Sequence, residues 1–567
     1  MFGHREWREP TFIIALLLIT VIGIIPTAEA HRSTLHPSAQ PPVGEVADAP
    51  SPFYPNVRVT DGRSAFPHQV EPFIVVDGER RLFVGWKEAE TADGPGARVG
   101  FSRSLDGGLT WSTNALMELL DTSPGRRQSD PWLVVDERGR LYYARLEYTA
   151  DLVGNGVTVS RSDDGGETWG PIVDVDDRRD FADKESMAND GNGTVYVAYD
   201  DVDSQDEKAD IRITHSTDGG GTWRNTTAVA DQRGDIASPV MATRPNGTVY
   251  AAWWDWGKGN IMASVSWDRG VTWSTDVRVN PIPGSASWDE NQAWQLSLPS
   301  LVIDATGTLF VAWADRGNGD LDIVVARSHD GGATWSLPVR LNDDASRREQ
   351  RMVALAVDGN DLLLAVWLDN RTGQLNVYYA NSSDSGRSWS PNLRVTEAET
   401  PSSYVRPGDY LGLAVDRNGT VYVVWTDGRG EDLDIYFAQA DLTKPTIDIL
   451  SPSRGEILAS TSVRVSGIAS DNVAVERVEI SINGMEWVLA EGTSSWEAVL
   501  ILPGGDNTIY ARAMDTSANI QTVSISVRIE TGPPLYLLVL PIGAVVAASS
   551  VLLVWRWRVR RRRGETG

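Results

Sequence analysis

Cysteine is absent from all 567 residues, which excludes disulfides, thiolate chemistry and cysteine-ligated zinc. Histidine is scarce: six residues, scattered, with no HExxH pattern or other recognisable metal spacing. Positive charge is also short. Lys and Arg total 51 against 77 Asp and Glu, for a net charge of −26. Residues 1–30 carry −1 and residues 535–567 carry +5, which leaves −30 on the stretch between them. Such a surface repels nucleic acid and anionic membranes. No nucleic-acid partner is expected. The composition calls for no cofactor, although an acidic face suits salt or a divalent cation such as calcium.

Long apolar runs mark the two ends. "TFIIALLLITVIGIIP" follows Arg5 and Arg8 and precedes "AEA" at Ala28–Ala30. A short apolar core before a small-residue cleavage site reads as a secretory signal peptide over 1–30. Residues 535–555, "LYLLVLPIGAVVAASSVLLVW", carry no charge and are long enough to span a bilayer as a helix. The basic tail 556–567 opens with "RWRVRRRR", whose six arginines are expected to stay cytoplasmic. The chain is therefore expected at the cell membrane, single-pass, with an extracellular N-terminal bulk. Asn-x-Ser/Thr sequons at Asn192, Asn225, Asn246, Asn370, Asn381 and Asn418 include three "NGT" turns, so they say little about glycosylation.

What is present in abundance is repetition. "SRSLDGGLTWS" (102–112) returns as "SRSDDGGETWG", "THSTDGGGTWR", "SVSWDRGVTWS", "ARSHDGGATWS" and "ANSSDSGRSWS". The aspartates are Asp106, Asp164, Asp218, Asp268, Asp330 and Asp384, spaced by 58, 54, 50, 62 and 54 residues. Self-similarity near fifty residues signals a repeat architecture, and one residue type in six equivalent units is structural rather than catalytic. Apolar runs ending in an aromatic and an acid, such as "RLFVGWKE" and "TVYVVWTD", recur seven times, matched at Trp86, Arg145, Tyr199, Trp253, Trp313, Trp367 and Trp425. With flanking strands and turns they give four antiparallel strands per unit, here A to D, which is a β-propeller blade. The seventh unit stops before its fourth strand. "NVRVTD" (56–61) resembles "NLRVTE" (392–397) yet precedes the first blade, so it is expected to complete the last one and remove the exposed edge. Seven blades are favoured, with six as the alternative.

Ser-x-Asp-x-Gly-x-Thr-Trp resembles the Asp-box, or BNR repeat, of the sialidase-like propellers, with six copies spread over 56–442. The resemblance implies that each box forms the C–D turn, its Asp accepting turn N–H bonds and its Trp packing between sheets. Residues 443–530, with "ASDNVAVERVEISING" and "GDNTIYARAMD", resemble a bacterial Ig-like β-sandwich of the kind used as a stalk. The expected order is signal peptide, linker (31–55), propeller, Ig-like sandwich and transmembrane helix. The fold class is all-β apart from that last helix.

Ligand sites in this fold lie at the channel mouth, so the starts of strands A are the segments to read. They are "HQVEP" with Glu71, "RRQSDPW" with Asp130 and Trp132, "FADKES" with Asp183, Lys184 and Glu185, "DENQAWQ" with Glu290, "RREQRM" with Arg351, and "YVRPGDY" with Tyr404, Arg406, Asp409 and Tyr410. Sialidase chemistry, as the resemblance implies it, needs arginines for a carboxylate, a glutamate-assisted tyrosine nucleophile and an acid. Arg351 and Arg406 could bind the carboxylate. Tyr410 or Tyr404 could attack, with Glu290 as partner, and Asp130 or Asp183 could be the acid. Glu71 and Asp183 join the arginines as substrate-binding candidates; no metal ligands are named. The family's Arg-Ile-Pro motif is missing, however. The corresponding stretch is "QVEPFIVV", where Glu71 would repel a sialic acid carboxylate. A second charged set, Asp315–Arg316, Asp369–Arg371 and Asp427–Arg429, recurs across blades and predicts structural bonding. The sequence thus leaves open a glycan-directed hydrolase, a non-catalytic adhesin recognising a glycan or surface protein, and a structural envelope protein.

Overall fold

A computed structural model describes residues 52–92, 94–149, 156–176, 181–203, 205–206, 208–224, 226–286, 298–401 and 407–530. The expected signal peptide, most of the linker and the transmembrane segment lie outside them. Among the described residues there are strands and turns but no helix.

Seven four-stranded antiparallel sheets form the larger part. Their A strands are His68–Val76, Arg126–Val135, Phe181–Asn189, Ile236–Thr243, Ser300–Ile303, Gln350–Val357 and Gly412–Val415. Each A strand contacts the next, and the seventh contacts the first, so the sheets close into a ring. The B strands are almost wholly buried, as in Leu309–Asp315 and Leu363–Asp369, which explains their uninterrupted apolar runs. Strands D are short. Val277–Arg278 and Val339–Arg340 pair over two residues each.

The last blade is closed by the chain's own N-terminal segment. Its sheet order runs from Val57–Arg58 through Asp434–Asp441 and Thr420–Asp427 to Gly412–Val415. Val57 pairs with Phe437 and Arg58 with Tyr436. The likeness between 56–61 and 392–397 has a structural meaning. Asn392 exchanges backbone-to-side-chain bonds with Asp343, and Asn56 does the same with Glu397 one blade further on.

The repeated aspartates sit in C–D turns and share one bonding pattern. In the second blade Ser162 Oγ donates to Asp164 at 2.8 Å, Gly166 N donates to Ser162 Oγ, and Thr168 donates through both N–H and hydroxyl to Asp164. Asp106, Asp218, Asp268, Asp330 and Asp384 are held in the same way. The turn tryptophans pack between sheets: Trp169 meets Phe101 of the preceding blade edge-on at 5.2 Å, and Trp111 meets Phe437 of the last blade at 5.3 Å. Gly166 has φ +78°, and a Cβ there would lie 2.4 Å from the Phe101 ring. Both the turn and the packing require glycine at that position.

The B–C set is structural too. Trp313, Trp367 and Trp425 each donate their indole N–H to the acid two residues on, Asp315, Asp369 and Asp427. Arg371 and Arg429 pair with the latter two at 2.8 and 2.7 Å and stack on Tyr378 and Tyr436. Arg316 departs from the pattern and faces Glu349 instead.

Residues Thr446–Ile529 form a sandwich of a three-stranded and a five-stranded sheet around Val465, Val478, Ile480, Trp496, Ile509 and Ala511. Alternation of buried and exposed residues along Ser462–Ser470 and Gly505–Asp515 follows from one face packing and one meeting water.

Candidate functional site

Five A strands break register against strand B at equivalent places, each leaving two residues opposite one. The pairs are Glu71–Pro72, Asp130–Pro131, Lys184–Glu185, Ser238–Pro239 and Met352–Val353. Opposite them stand Trp86, Arg145, Tyr199, Trp253 and Trp367, the landmark residues of the apolar runs. The first residue of every pair has a left-handed backbone, with φ from 49° to 58°. A β-bulge of this kind re-aims a side chain. Here the backbone device repeats while the side chain changes from Glu to Asp, Lys, Ser and Met.

A cavity of about 420 Å³ follows the ring axis. Its charged end is lined by Asp130, Lys184, Glu185 and Asp409, with Trp132 and Tyr410 beside them, and its deeper wall is apolar. Lys184 Nζ donates to Asp409 at 2.6 Å and lies 3.8 Å from Asp130. Just behind the wall, Lys87 Nζ donates to the fully buried Glu71 at 2.6 Å. The bulge carrying Glu71 is pressed by Gly408 (φ +88°), where a Cβ would lie 2.9 Å from the Glu71 nitrogen. Trp132 packs on Phe73 at 4.2 Å and faces Tyr410 at 6.3 Å, making one aromatic wall from three blades.

The electrostatics are those of crowded, buried acids. Glu71, Asp130, Asp183, Glu185, Asp200 and Asp409 are all buried, against the amines of Lys87 and Lys184. Burial pushes Glu71 up to about 7 against the pull of Lys87, with Asp409 and Asp130 adding to the rise. Burial also raises Asp130, although Lys184 opposes it. Glu185 is 3 % exposed, and neither carboxyl oxygen has a hydrogen-bond partner. Burial and then Asp130 hold it well above the usual carboxylate range, which favours its protonated form. Asp200 is raised by burial and by Asp183. Burial alone would lower Lys184, but Asp130 and Asp409 outweigh it and keep the amine charged.

The structure thus brings Asp130 and Tyr410 to the cavity. Glu71 lies behind the wall, and Asp183, paired with Asp200 across the strands, is not among the lining residues. Arg351 is buried one residue before the Met352 bulge, and Met352 rather than Arg351 lines the channel. Glu290, Arg406 and Tyr404 lie outside the described residues. Tyr410 sits among acids, and burial with Asp130 and Glu71 raises it well above the ordinary phenol range, which works against its ionisation as a nucleophile. Lys184 and Glu185 take the places given to Asp183, because the bulge begins one residue later. Lys87 and Asp200 come from strands B, where each follows the landmark aromatic and precedes a second charge, Glu88 or Asp201. That pair of charges closing the apolar run was the available signal.

Residues 445–511 match the family described as "Bacterial Ig domain". Over 261 residues the chain is 26 % identical to xyloglucanase Xgh74A of Acetivibrio thermocellus, covering 41 % of this chain and 28 % of that one. It thus spans less than a third of that curated relative. Its neighbours among solved structures are sialidases and related glycoside hydrolase propellers. The Hadza microbial sialidase Hz136 aligns at TM-score 0.45 and 18 % identity, covering 68 % of each chain. The α-L-arabinofuranosidase Arb93A of Fusarium graminearum aligns at 0.41 and 15 %, covering 58 % of this chain and 98 % of that one. The propeller itself rests on the sheet topology.

Proposed function

We propose that the chain is a glycan-directed Asp-box propeller, exported by its N-terminal signal, held at the cell surface by its C-terminal helix and raised on the Ig-like stalk. The mouth is its site, and a neutral saccharide is its ligand. One observation carries this reading: Glu185, a buried carboxyl with no hydrogen-bond partner, faces the cavity beside Asp130, Lys184 and an aromatic wall. The wall offers the apolar face that a sugar ring stacks on, and the polar groups fix its orientation. The surplus of acids and the pairing of Lys184 with Asp409 disfavour an anionic sugar.

Glycoside cleavage in this reading uses two carboxyl groups in different roles, Glu185 raised further above its ordinary value than Asp130. Glu185 gives its proton to the departing glycosidic oxygen as the bond to the anomeric carbon breaks, and water then adds to that carbon and returns a proton to the Glu185 carboxylate. Asp130, which burial raises against the pull of Lys184, stabilises as its carboxylate the positive charge that grows on the sugar ring. The test is a panel of neutral glycosides and sialosides, together with a glycan array, for the wild type, Glu185→Gln and Asp130→Asn. Hydrolysis of a neutral glycoside should fall at least about 100-fold in Glu185→Gln while binding persists. Binding without hydrolysis in the wild type would make the propeller an adhesin, and absence of both would sink the mouth as the site.

A further inference from the structure

A second cluster of acids lies far from the mouth, where the propeller meets the Ig-like sandwich. Asp441 ends strand C of the last blade, Asp471 follows the sandwich strand Ser462–Ser470, and Asp515 ends Gly505–Asp515. One carboxylate oxygen from each lies within 4.8 Å of the others. Three carboxylates this close, two of them fully buried, repel one another unless something positive sits among them.

The surrounding hydrogen bonds supply nothing positive. Asp441 Oδ1 accepts from Thr443 N and Asn472 Nδ2, but Asp441 Oδ2 has no donor, although the residue is only 2 % exposed. Asp471 Oδ2 accepts from Val473 N and Ala474 N, whereas its Oδ1 has no donor. Asn472 Oδ1 is likewise unsatisfied, while its amide donates to Asp441 and to the Asn418 carbonyl. Asp515 is fixed by Ser517 N, Asn519 N and Asn519 Nδ2. Asn519 Nδ2 also donates to the Asp441 carbonyl at 2.7 Å, which ties the sandwich loop to the propeller. No lysine or arginine forms an ion pair with any of the three acids among the described residues.

We propose that Asp441, Asp471 and Asp515, with Asn472 Oδ1, form a calcium site that locks the propeller to the sandwich. An all-oxygen donor set of irregular geometry fits a hard divalent cation, and calcium accepts it more readily than magnesium, which demands a near-ideal octahedron. Zinc is disfavoured by the lack of nitrogen and sulfur donors. The ligands come from both domains, so binding would stiffen the junction and hold the mouth at a fixed attitude on its stalk.

The experiment is calorimetric titration of CaCl2 into the full-length chain, with thermal melts in calcium and in EDTA. One calcium should bind, with an affinity on the order of that of extracellular calcium modules, and should raise the melting temperature. Asp441→Asn and Asp471→Asn should each weaken binding at least tenfold. In EDTA both variants should melt no lower than the wild type, because each removes a repulsion. Asp130→Asn, in the mouth, should leave the binding intact. Asp471 is partly exposed, so its variant decides the matter if Asp441→Asn fails to fold. No binding up to about 10 mM calcium, or binding that survives both junction substitutions, would overturn the site.

Discussion

The two faces of the propeller use the same kind of residue in opposite ways. On the C–D face six aspartates, five exposed and Asp384 half-buried, repeat one bonding pattern. The hydroxyl and backbone N–H of Thr334, then the hydroxyl of Ser328, hold Asp330 down to about 2. At the mouth the carboxyls are buried, crowded and pushed upward, with Glu71 at about 7. On one face the fold repeats both backbone and side chain, and the residue builds the turn. On the other it repeats only the backbone bulge and varies the side chain. Variation on a fixed scaffold is where a site can be made.

Removing the mouth's cation should have the largest effect. Lys184→Met removes the amine shared by Asp409 and Asp130 and should cost about 3 kcal/mol at neutral pH, because two buried acids lose an ion pair made at 2.6 and 3.8 Å. The loss should shrink at pH 5, where protonation relieves it. Chemical denaturation at the two pH values measures the difference. An equal loss at both would mean that Lys184 contributes packing rather than charge.

The next effect concerns the sign of the pH dependence. A carboxyl whose folded pKa exceeds its unfolded value binds its proton more tightly when folded, so stability falls as pH rises from about 4.5 through 7. For Glu71 alone the fall is roughly 3 kcal/mol at most. The C–D aspartates act in reverse, their stability being present above about 4 and lost as pH falls toward 2. Glu71→Gln should flatten the neutral limb of the stability curve and leave the acid limb unchanged. A curve that keeps its slope between pH 5 and 7 in the variant would place the coupling elsewhere.

This contrast was half legible in the sequence. Periodicity exposed the blades, the closing strand and the structural role of Asp106 and its relatives, because each signal is local and repeated. Asp130 and Tyr410 were found through their place within or just before the start of strand A. Lys87 and Asp200 were not, because a charge on a buried strand B becomes meaningful only when the bulge of strand A turns toward it. Arg351 looked like a ligand for a carboxylate; a one-residue register shift gives the channel to Met352. The shift is invisible without the pairing partner, since φ near +55° on Glu, Asp, Lys and Met is not something composition announces.

The smallest effect belongs to the C–D face. Asp330→Ala removes the acceptor for Thr334 N, Thr334 Oγ1 and Ser328 Oγ. The two Thr334 groups lie at the surface and can turn to water, whereas Ser328 is 1 % exposed and its hydroxyl loses an acceptor, so the cost should be about 1–2 kcal/mol. Five equivalent turns remain, and Gly332 N keeps its bond to Ser328 Oγ at 2.9 Å, so the blade should stay folded. Binding and turnover per folded molecule should match the wild type, because nothing in this turn reaches the channel. Denaturation and glycan binding measured on the same preparation check both halves. If Asp330→Ala keeps its stability but loses its ligand, the C–D face and not the mouth holds the site.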